Sequence, residues 1–427
     1  MYAFERLFRA GDYPPSFREP GNPLSDLHAI RVLDLTRVVS GPWCTQVLAD
    51  LGAEVIKIER PGQGDDTRRI GPPLVGADGQ PTGEAAYYLA CNRNKRSITV
   101  DIASDQGAGL VRELAAVCDV VVENYKVGNL QRFGLDSASL RAINPRLIYC
   151  SINGFGPDGP YAPLPAYDFV LQGLTGIMST CGRGDDMPGG EPMRTAVPLT
   201  DQVTGLYAAV AILGALLQRG ITGEGRHIDM AMIDCAAAIA SPLSIGWAIT
   251  GRQAPRVGND NPIAAPSGVF PAADGRLIIA SGNDAQFAGV CRALGLSALR
   301  ADPRAATNPL RVANRELVHG AVAEVTRTRS MADLMAALQA EGVPCGPIND
   351  FPAFFADPQA VHRGALRQVP HPAGVPVPLV RSPLDQAAAP APLQAPPRLG
   401  EHTEAVLGSL LGLSAERLSQ LRAAQVI

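Results

Sequence analysis

Short apolar segments alternate with helical segments through the first half of this chain, and the alternation limits the folds available to it. Strand patterns occur at residues 30–35, 53–58, 96–100, 120–122 and 146–150. Helix patterns lie between or after them, at residues 44–51, 105–117 and 137–143. Because strands that alternate with helices form parallel sheets with helical crossovers, the pattern predicts a doubly wound α/β domain up to about residue 220.

Changes in composition divide the chain further. Residues 1–28 are predicted to form an irregular N-terminal extension, and residues 29–220 the first part of a large α/β domain. Apolar residues 228–249, predicted to be mostly helical, lie in a linker helix and loop over 221–266. A smaller α+β domain is predicted over 267–350, and a proline-rich return segment begins the final stretch, 351–427.

Composition excludes several classes of function. The net charge of −4, without a basic stripe, argues against a nucleic-acid partner. The N-terminus lacks the layout of a secretory signal, and no uncharged apolar stretch of about 18 residues occurs, so no membrane span is expected. The eight scattered cysteines form no CxxC pair, which favours reduced thiols in a cytoplasm.

Motifs for several common kinds of catalysis are absent from the sequence. There is no Walker loop, no complete GxGxxG, no GxSxG and no HExxH. The six histidines are dispersed, and none lies between His28 and His227. We therefore expect no metal and no permanently bound cofactor, and chemistry that does not use an imidazole from that stretch.

Asp168 is the strongest catalytic candidate in the first domain. It opens a run, residues 169–181, that carries no other formal charge. A poorly solvated carboxylate needs either a partner or a chemical task. It can attack an acyl carbon and hold the acyl group covalently, or it can simply cap a helix over residues 169–179.

A set of short motifs extends this interpretation over nearly the whole chain, from about residue 29 to 411. The motifs are 32–42 (VLDLTRVVSGP), 52–59 (GAEVIKIE), 92–97 (NRNKRS), 122–125 (VENY), 151–156 (SINGFG), 166–168 (AYD), 302–304 (DPR), 342–348 (GVPCGPI) and 399–403 (LGEHT). In this order they resemble the class III coenzyme A transferases, the family of formyl-CoA transferase and carnitine CoA-transferase. Each motif alone is weak, and the ordered set is specific.

The resemblance implies a fold and a mechanism. The large domain would be completed by the C-terminal segment, with the smaller domain inserted, and two subunits would interlock as a homodimer. Asp168 would attack an acyl-CoA thioester, and the reaction would pass through an aspartyl-CoA thioester to a free carboxylic acid. Coenzyme A would be a substrate rather than a bound cofactor.

The resemblance also assigns binding residues by motif position. Residues expected to contact CoA are Val38, Val39, Ser40, Arg60, Asn94, Lys95, Asn124, Tyr125 and Arg132. Succinyl-CoA as the donor and a dicarboxylate as the acceptor are our substrate hypothesis. Residues proposed for the substrate are Asn153, Arg68, Arg69 and Arg194.

Two other functions remain open from the sequence. The 2-methylacyl-CoA racemases share the fold, but they need a histidine beside the aspartate, and Tyr167 precedes Asp168 here. A non-catalytic acyl-CoA binder is the second alternative. Retention of the acid in its apolar setting argues against such a binder.

Overall fold

The structure is a computed structural model that describes residues 27–384 and 393–427. The predicted extension 1–28 lies almost wholly outside the described residues, as does part of the proline-rich tract. The described chain forms two compact units. Unit 1 contains residues 27–175, 197–239 and 359–427, and unit 2 contains residues 176–196 and 240–358.

Unit 1 is built on a six-stranded parallel sheet with the order β5-β2-β1-β6-β7-β8. Its strands are β1 (Arg31–Asp34), β2 (Glu54–Glu59), β5 (Lys95–Thr99), β6 (Val120–Glu123), β7 (Ile148–Asn153) and β8 (His227–Ala231). Two antiparallel hairpins add β3 (Pro73–Val75) with β4 (Pro81–Ala85), and β12 (Leu366–Val369) with β13 (Val377–Val380). The predicted parallel α/β fold is confirmed.

Helices cover both faces of this sheet. The helices that lie wholly in unit 1 are α1 (Ser40–Asp50), α2 (Ala86–Cys91), α3 (Asp105–Ala116), α4 (Ser137–Ile143), α5 (Asp168–Leu174), α7 (Leu199–Thr222), α16 (Thr403–Leu411) and α17 (Ala415–Ala423). Successive side chains of a strand point to opposite faces, so Val32 packs with α1 and α7 while Leu33 packs with α3, α4, α16 and α17. Burial on both faces explains why adjacent strand residues such as Val32 and Leu33 are both apolar.

The sheet has a topological switch point between β1 and β6. The chain leaves β1 for α1 on one face, and it leaves β6 for α4 on the other. Ligands of open α/β sheets bind where the loops diverge in this way, beyond the carboxyl ends of the strands. This edge therefore positions the candidate site.

Unit 2 has a three-stranded antiparallel sheet, β11-β10-β9. Its strands are β9 (Ser267–Ala272), β10 (Gly275–Ala280) and β11 (Cys345–Pro347). Its helices are α6 (Ile177–Thr180), α9 (Asp284–Leu294), α10 (Ser297–Ala301), α11 (Asn308–Ala313), α12 (Arg315–Thr326), α13 (Met331–Ala340) and α14 (Phe351–Ala356). Helices α8 (Met232–Thr250) and α15 (Pro358–His362) span the boundaries of the two units.

Two predicted helices differ from the structure. The helix expected over residues 169–179 is interrupted at Gly176, whose φ of 82° lies in the left-handed region that glycine tolerates. The mostly helical segment expected from residue 228 begins instead as β8, which pairs with β7. Pairing at a sheet edge overrode the local apolar pattern there.

Two helices are long and apolar enough to cross a membrane by length and composition alone, which the sequence did not lead us to expect. The apolar window of α7 is 39% buried and that of α8 is 17% buried. Core helices of soluble proteins pass the same test. One face of α7 packs against α1 and the sheet through Ala208, Ala209 and Ile212.

Candidate active site

Asp168 is the first residue of α5, and its carboxylate joins that helix to the start of α7. Its Oδ1 accepts the backbone N–H of Thr200 at 2.8 Å, and its Oδ2 accepts Nε2 of Gln172 at 2.7 Å. The residue is 8% exposed. The residue that precedes α5 as its N-cap is Tyr167, so the structure does not support the alternative in which Asp168 caps its own helix. Asp168 instead satisfies a donor of α7, whose N-cap residue Pro198 makes no side-chain cap.

A second carboxylate, Asp201, lies one residue beyond Thr200 in the first turn of α7. Burial and, after it, the neighbouring charge of Asp168 raise the pKa of Asp201 to about 7. The Ser40 hydroxyl donates a hydrogen bond to Asp201, which partly opposes this rise in pKa. Two carboxylates from different helices therefore meet beside the turn that follows β1.

The sequence prediction did not include Asp201, although the signal was present. Residues 202–218 carry no formal charge, so Asp201 opens an uncharged run just as Asp168 does. A buried acid with a strongly perturbed pKa is characteristic of functional sites.

The turn after β1 is held in an unusual conformation. Val38 has a φ of 70°, in the left-handed region that β-branched residues rarely adopt. Its backbone N–H is 3.2 Å from Oδ1 of Asp65, which forms a buried ion pair with Lys57 at 2.9 Å. Val39 and Ser40, which follow, are buried. The predicted CoA loop is therefore shaped by a buried ion pair beneath it.

The turn after β6 is tied to the turn after β1. The amide of Asn124 accepts the N–H of Arg37 at 2.9 Å and donates to its carbonyl at 2.7 Å. Tyr125 follows, with its backbone N–H bonded to Glu123 and its ring 5.1 Å from the Arg37 guanidinium. Predicted CoA residues from both turns are thus brought together across the switch point.

Other predicted CoA residues occupy different settings. Arg60 and Arg132 are exposed, and the Arg132 guanidinium lies over the Phe133 ring at 4.5 Å. Asn94 binds Asp50 through its amide nitrogen and the backbone of Gln394 through its amide oxygen.

Lys95 is too buried to bind a phosphate group of CoA. It is 2% exposed, and its ammonium contacts Asp34, Thr45, Asn92 and the carbonyl of Pro42 at 2.7–3.1 Å. An ammonium has three donors, so these contacts leave none for CoA. The predicted direct contact is corrected to a buried structural role.

Arg68 requires the same correction as a substrate residue. It is 5% exposed, and it binds Glu59, Glu84 and the hydroxyl of Tyr88. Its guanidinium donors are engaged in this buried network and do not bind a substrate.

The remaining substrate candidates are dispersed. Arg69 is exposed near Asp66 and bonds to the carbonyl of Gln63 at 2.6 Å. Arg194 is exposed and belongs to unit 2. The amide of Asn153 donates to Asp229 at 2.6 Å and accepts the N–H of Gly156.

A cavity of about 450 Å³ lies in unit 1 beside the turn after β6. Tyr125, Asn153, Asp229 and Glu123 are among its lining residues. Burial raises the pKa of Glu123 to about 7, against the opposing hydrogen bonds from Ser151 and from the backbone of Tyr125. The polar edge of the sheet therefore holds two acids that titrate near neutrality.

Comparison with known proteins places these features in a family. A sequence model described as "CoA-transferase family III" matches residues 27–403. The succinate–glutarate CoA-transferase of Agrobacterium fabrum is 45% identical, over 90% of this chain and 95% of its own length. The human succinyl-CoA:glutarate CoA-transferase is 39% identical, over 95% and 91% respectively.

A solved structure agrees with these relatives. The crystal structure of a CAIB/BAIF family protein from Brucella suis has a TM-score of 0.80 and 44% sequence identity. It covers 91% of this chain and all of its own. The predicted family and the transferase interpretation are confirmed.

Proposed function

The chain belongs to CoA-transferase family III and is a CoA transferase, and from this premise we propose that it moves CoA from succinyl-CoA to a dicarboxylic acid through an aspartyl intermediate. The observation that carries the mechanism is the buried carboxylate of Asp168, whose two oxygens are held by the backbone N–H of Thr200 and by Gln172. The names of the succinate–glutarate relatives support the substrate class.

The chemistry requires no proton taken from carbon. An aspartate oxygen attacks the thioester carbonyl, the carbon–sulfur bond breaks, and a mixed anhydride and CoA thiolate form. The thiolate attacks the aspartyl carbonyl, which gives aspartyl-CoA and free succinate. The acceptor carboxylate then attacks aspartyl-CoA, and the released thiolate takes the acceptor acyl group, regenerating the aspartate.

Asp168 is the proposed acyl carrier. Hydrogen bonds from the backbone N–H of Thr200 and from Gln172 orient its two oxygens, and each oxygen keeps a lone pair for attack on the thioester. Asp201 is bonded to the Ser40 hydroxyl beside the predicted CoA turn. Its pKa of about 7 leaves it partly protonated near neutral pH, so it supports the carrier as a neighbouring acid and not as the nucleophile.

The burial of Asp168 supports this role. An anhydride hydrolyses readily, so the carrier must be shielded from water. The backbone N–H of Thr200, in the first turn of α7, lies 2.8 Å from Oδ1 of Asp168, where it can stabilise charge at that group.

A panel of free acids tests the substrate class. With succinyl-CoA as the donor, mass spectrometry should detect new thioesters of four- to six-carbon dicarboxylates and weaker products from monocarboxylates of equal length. Transfer confined to monocarboxylates would contradict the dicarboxylate proposal. The absence of any new thioester would contradict the transfer proposal itself.

We further propose that the protein is an interlocked homodimer. In unit 1, exposed apolar side chains lie on α5 and α7, including Val170, Leu174, Leu206 and Val210. Apolar surface of this kind is typical of oligomer interfaces. Light scattering should give twice the chain mass, and a monomer mass at micromolar concentration would contradict the proposal.

A cytoplasmic location is a proposal as well. All eight cysteines are free thiols, and six of them are buried. Reduced thiols of this kind are expected in a reducing compartment. Fractionation of the source cells, with detection of the protein, tests this proposal. Its recovery outside the cytoplasm would contradict it.

A further inference from the structure

Arg37 is a cation at the switch point of the sheet that the sequence did not single out. It directly precedes Val38 in the turn after β1, and its backbone forms two hydrogen bonds with the side chain of Asn124 in the turn after β6. These bonds fix the position from which its side chain extends. The backbone of Arg37 is therefore ordered, even though its side chain lies at the surface.

The guanidinium of Arg37 lies over the ring of Tyr125, 5.1 Å from its centroid. The side chain is 48% exposed, and its acidic neighbour Asp66, itself 55% exposed, is 3.6 Å away. An exposed pair at that separation contributes little stability, so a phosphate can replace the carboxylate. The planar stack beneath it also limits the freedom that the guanidinium loses on binding.

Three other cations at this end of the sheet are unlike Arg37. Lys57, Lys95 and Arg68 are buried, and each is neutralised by at least one carboxylate of the protein. They stabilise the turns from below and cannot reach a ligand. Arg37 combines an ordered setting with an accessible charge.

We propose that Arg37 binds a phosphate at the nucleotide end of CoA and that the Arg37–Tyr125 stack supports the adenine. This inference rests on the proposed function, because it assumes that CoA occupies the crevice at the switch point. A guanidinium suits a phosphate because its donors form a planar fork, and an aromatic ring beside it suits a purine.

Calorimetric binding of CoA and of pantetheine, which lacks the nucleotide, tests the proposal. Arg37→Ala should weaken CoA binding about 10- to 100-fold and leave pantetheine binding unchanged. Arg37→Lys, which keeps the charge but loses the fork, should recover part of the CoA affinity. The matched control is Arg422→Ala, which removes an exposed arginine paired with Glu404 and should bind CoA like the wild type.

Two results would overturn the inference. One is an unchanged CoA dissociation constant in folded Arg37→Ala, and the other is an equal loss of CoA and pantetheine binding, which would indicate a structural role. A wild-type protein that binds CoA yet transfers none would contradict the proposed function and leave this inference intact. Thermal melting of each variant establishes that it is folded.

Discussion

Two aspartates at the carboxyl edge of the same sheet, the buried Asp34 and the partly buried Asp201, differ in the charges that surround them. Burial raises the pKa of Asp34, but the charges of Lys95 and Lys57 outweigh it and hold that pKa below its usual range. Burial raises the pKa of Asp201 as well, and there the neighbouring charge is another carboxylate, Asp168, so the pKa reaches about 7. The Ser40 hydroxyl opposes that rise.

The difference distinguishes an aspartate that stabilises the fold from an aspartate at the candidate active site. Asp34 is hydrogen-bonded to Thr36, Thr45 and Lys95, and it holds the end of β1 against α1 and β5. A buried carboxylate whose charge is neutralised and whose oxygens are hydrogen-bonded serves the structure of the fold. An acid with a raised pKa beside a like charge, as at Asp201, is characteristic of functional sites.

The largest effect should come from Asp168→Asn. Loss of the nucleophile should lower the rate of CoA transfer on the order of 10⁴-fold or more, and the fold should be retained because the amide oxygen still accepts the N–H of Thr200. Asp201→Asn keeps the nucleophile, so this matched control should transfer CoA at a reduced but measurable rate. Steady-state assays with succinyl-CoA and glutarate would measure both variants, and the reverse ranking would contradict the assignment.

Removal of the buried Asp34–Lys95 ion pair should lower the stability of the protein and not act on the transfer reaction itself. Lys95→Met leaves Asp34 as a buried, unpaired charge and should lower the free energy of unfolding by about 3–5 kcal/mol. The exposed Lys126→Met should change it by no more than about 0.5 kcal/mol. Urea unfolding of the two variants compares them, and equal stabilities would show that the buried pair is dispensable.

Asp201, whose pKa is raised, should make the stability of the protein depend on pH. The pKa of Asp201 is raised from 3.8 to about 7 on folding, so the folded state binds the additional proton between these values. Wild-type stability should therefore fall, relative to Asp201→Asn, as pH rises from about 4 to about 7. The variant should be the more stable protein at pH 8, by at most about 4 kcal/mol, and equal to wild type near pH 4.

Thermal melting across this pH range gives the comparison. A difference in stability that does not change with pH would mean that Asp201 is ionised in the folded protein throughout, contrary to its surroundings.

Ser40→Ala should produce the smallest effect. Removal of the hydroxyl takes away a hydrogen bond that lowers the pKa of Asp201, so the fall in stability between about pH 4 and pH 7 should extend upward by less than about one pH unit in thermal melting. Ser40→Thr keeps the hydroxyl and should leave this pH range unchanged. A downward shift in Ser40→Ala would contradict the hydrogen bond.

The sequence predicted the fold from local patterns, because strands such as 30–35 and 53–58 are apolar on both faces of the sheet. It also located the acidic region through the uncharged run after Asp168. It did not reveal Asp201, since the proximity of two acids 33 residues apart depends on how α5 meets α7. The burial of Lys95 and Arg68 was equally hidden, because both lie in charged segments with the composition of surface loops and are neutralised by residues on other elements of the fold.

The central claim is that Asp168 carries the acyl group. Hydroxylamine added with succinyl-CoA should convert the reactive aspartyl intermediate to a hydroxamate, which peptide mass spectrometry can locate. Our account predicts the hydroxamate at Asp168 and an unmodified Asp201. A hydroxamate at Asp201, or none at either residue during active turnover, would contradict it.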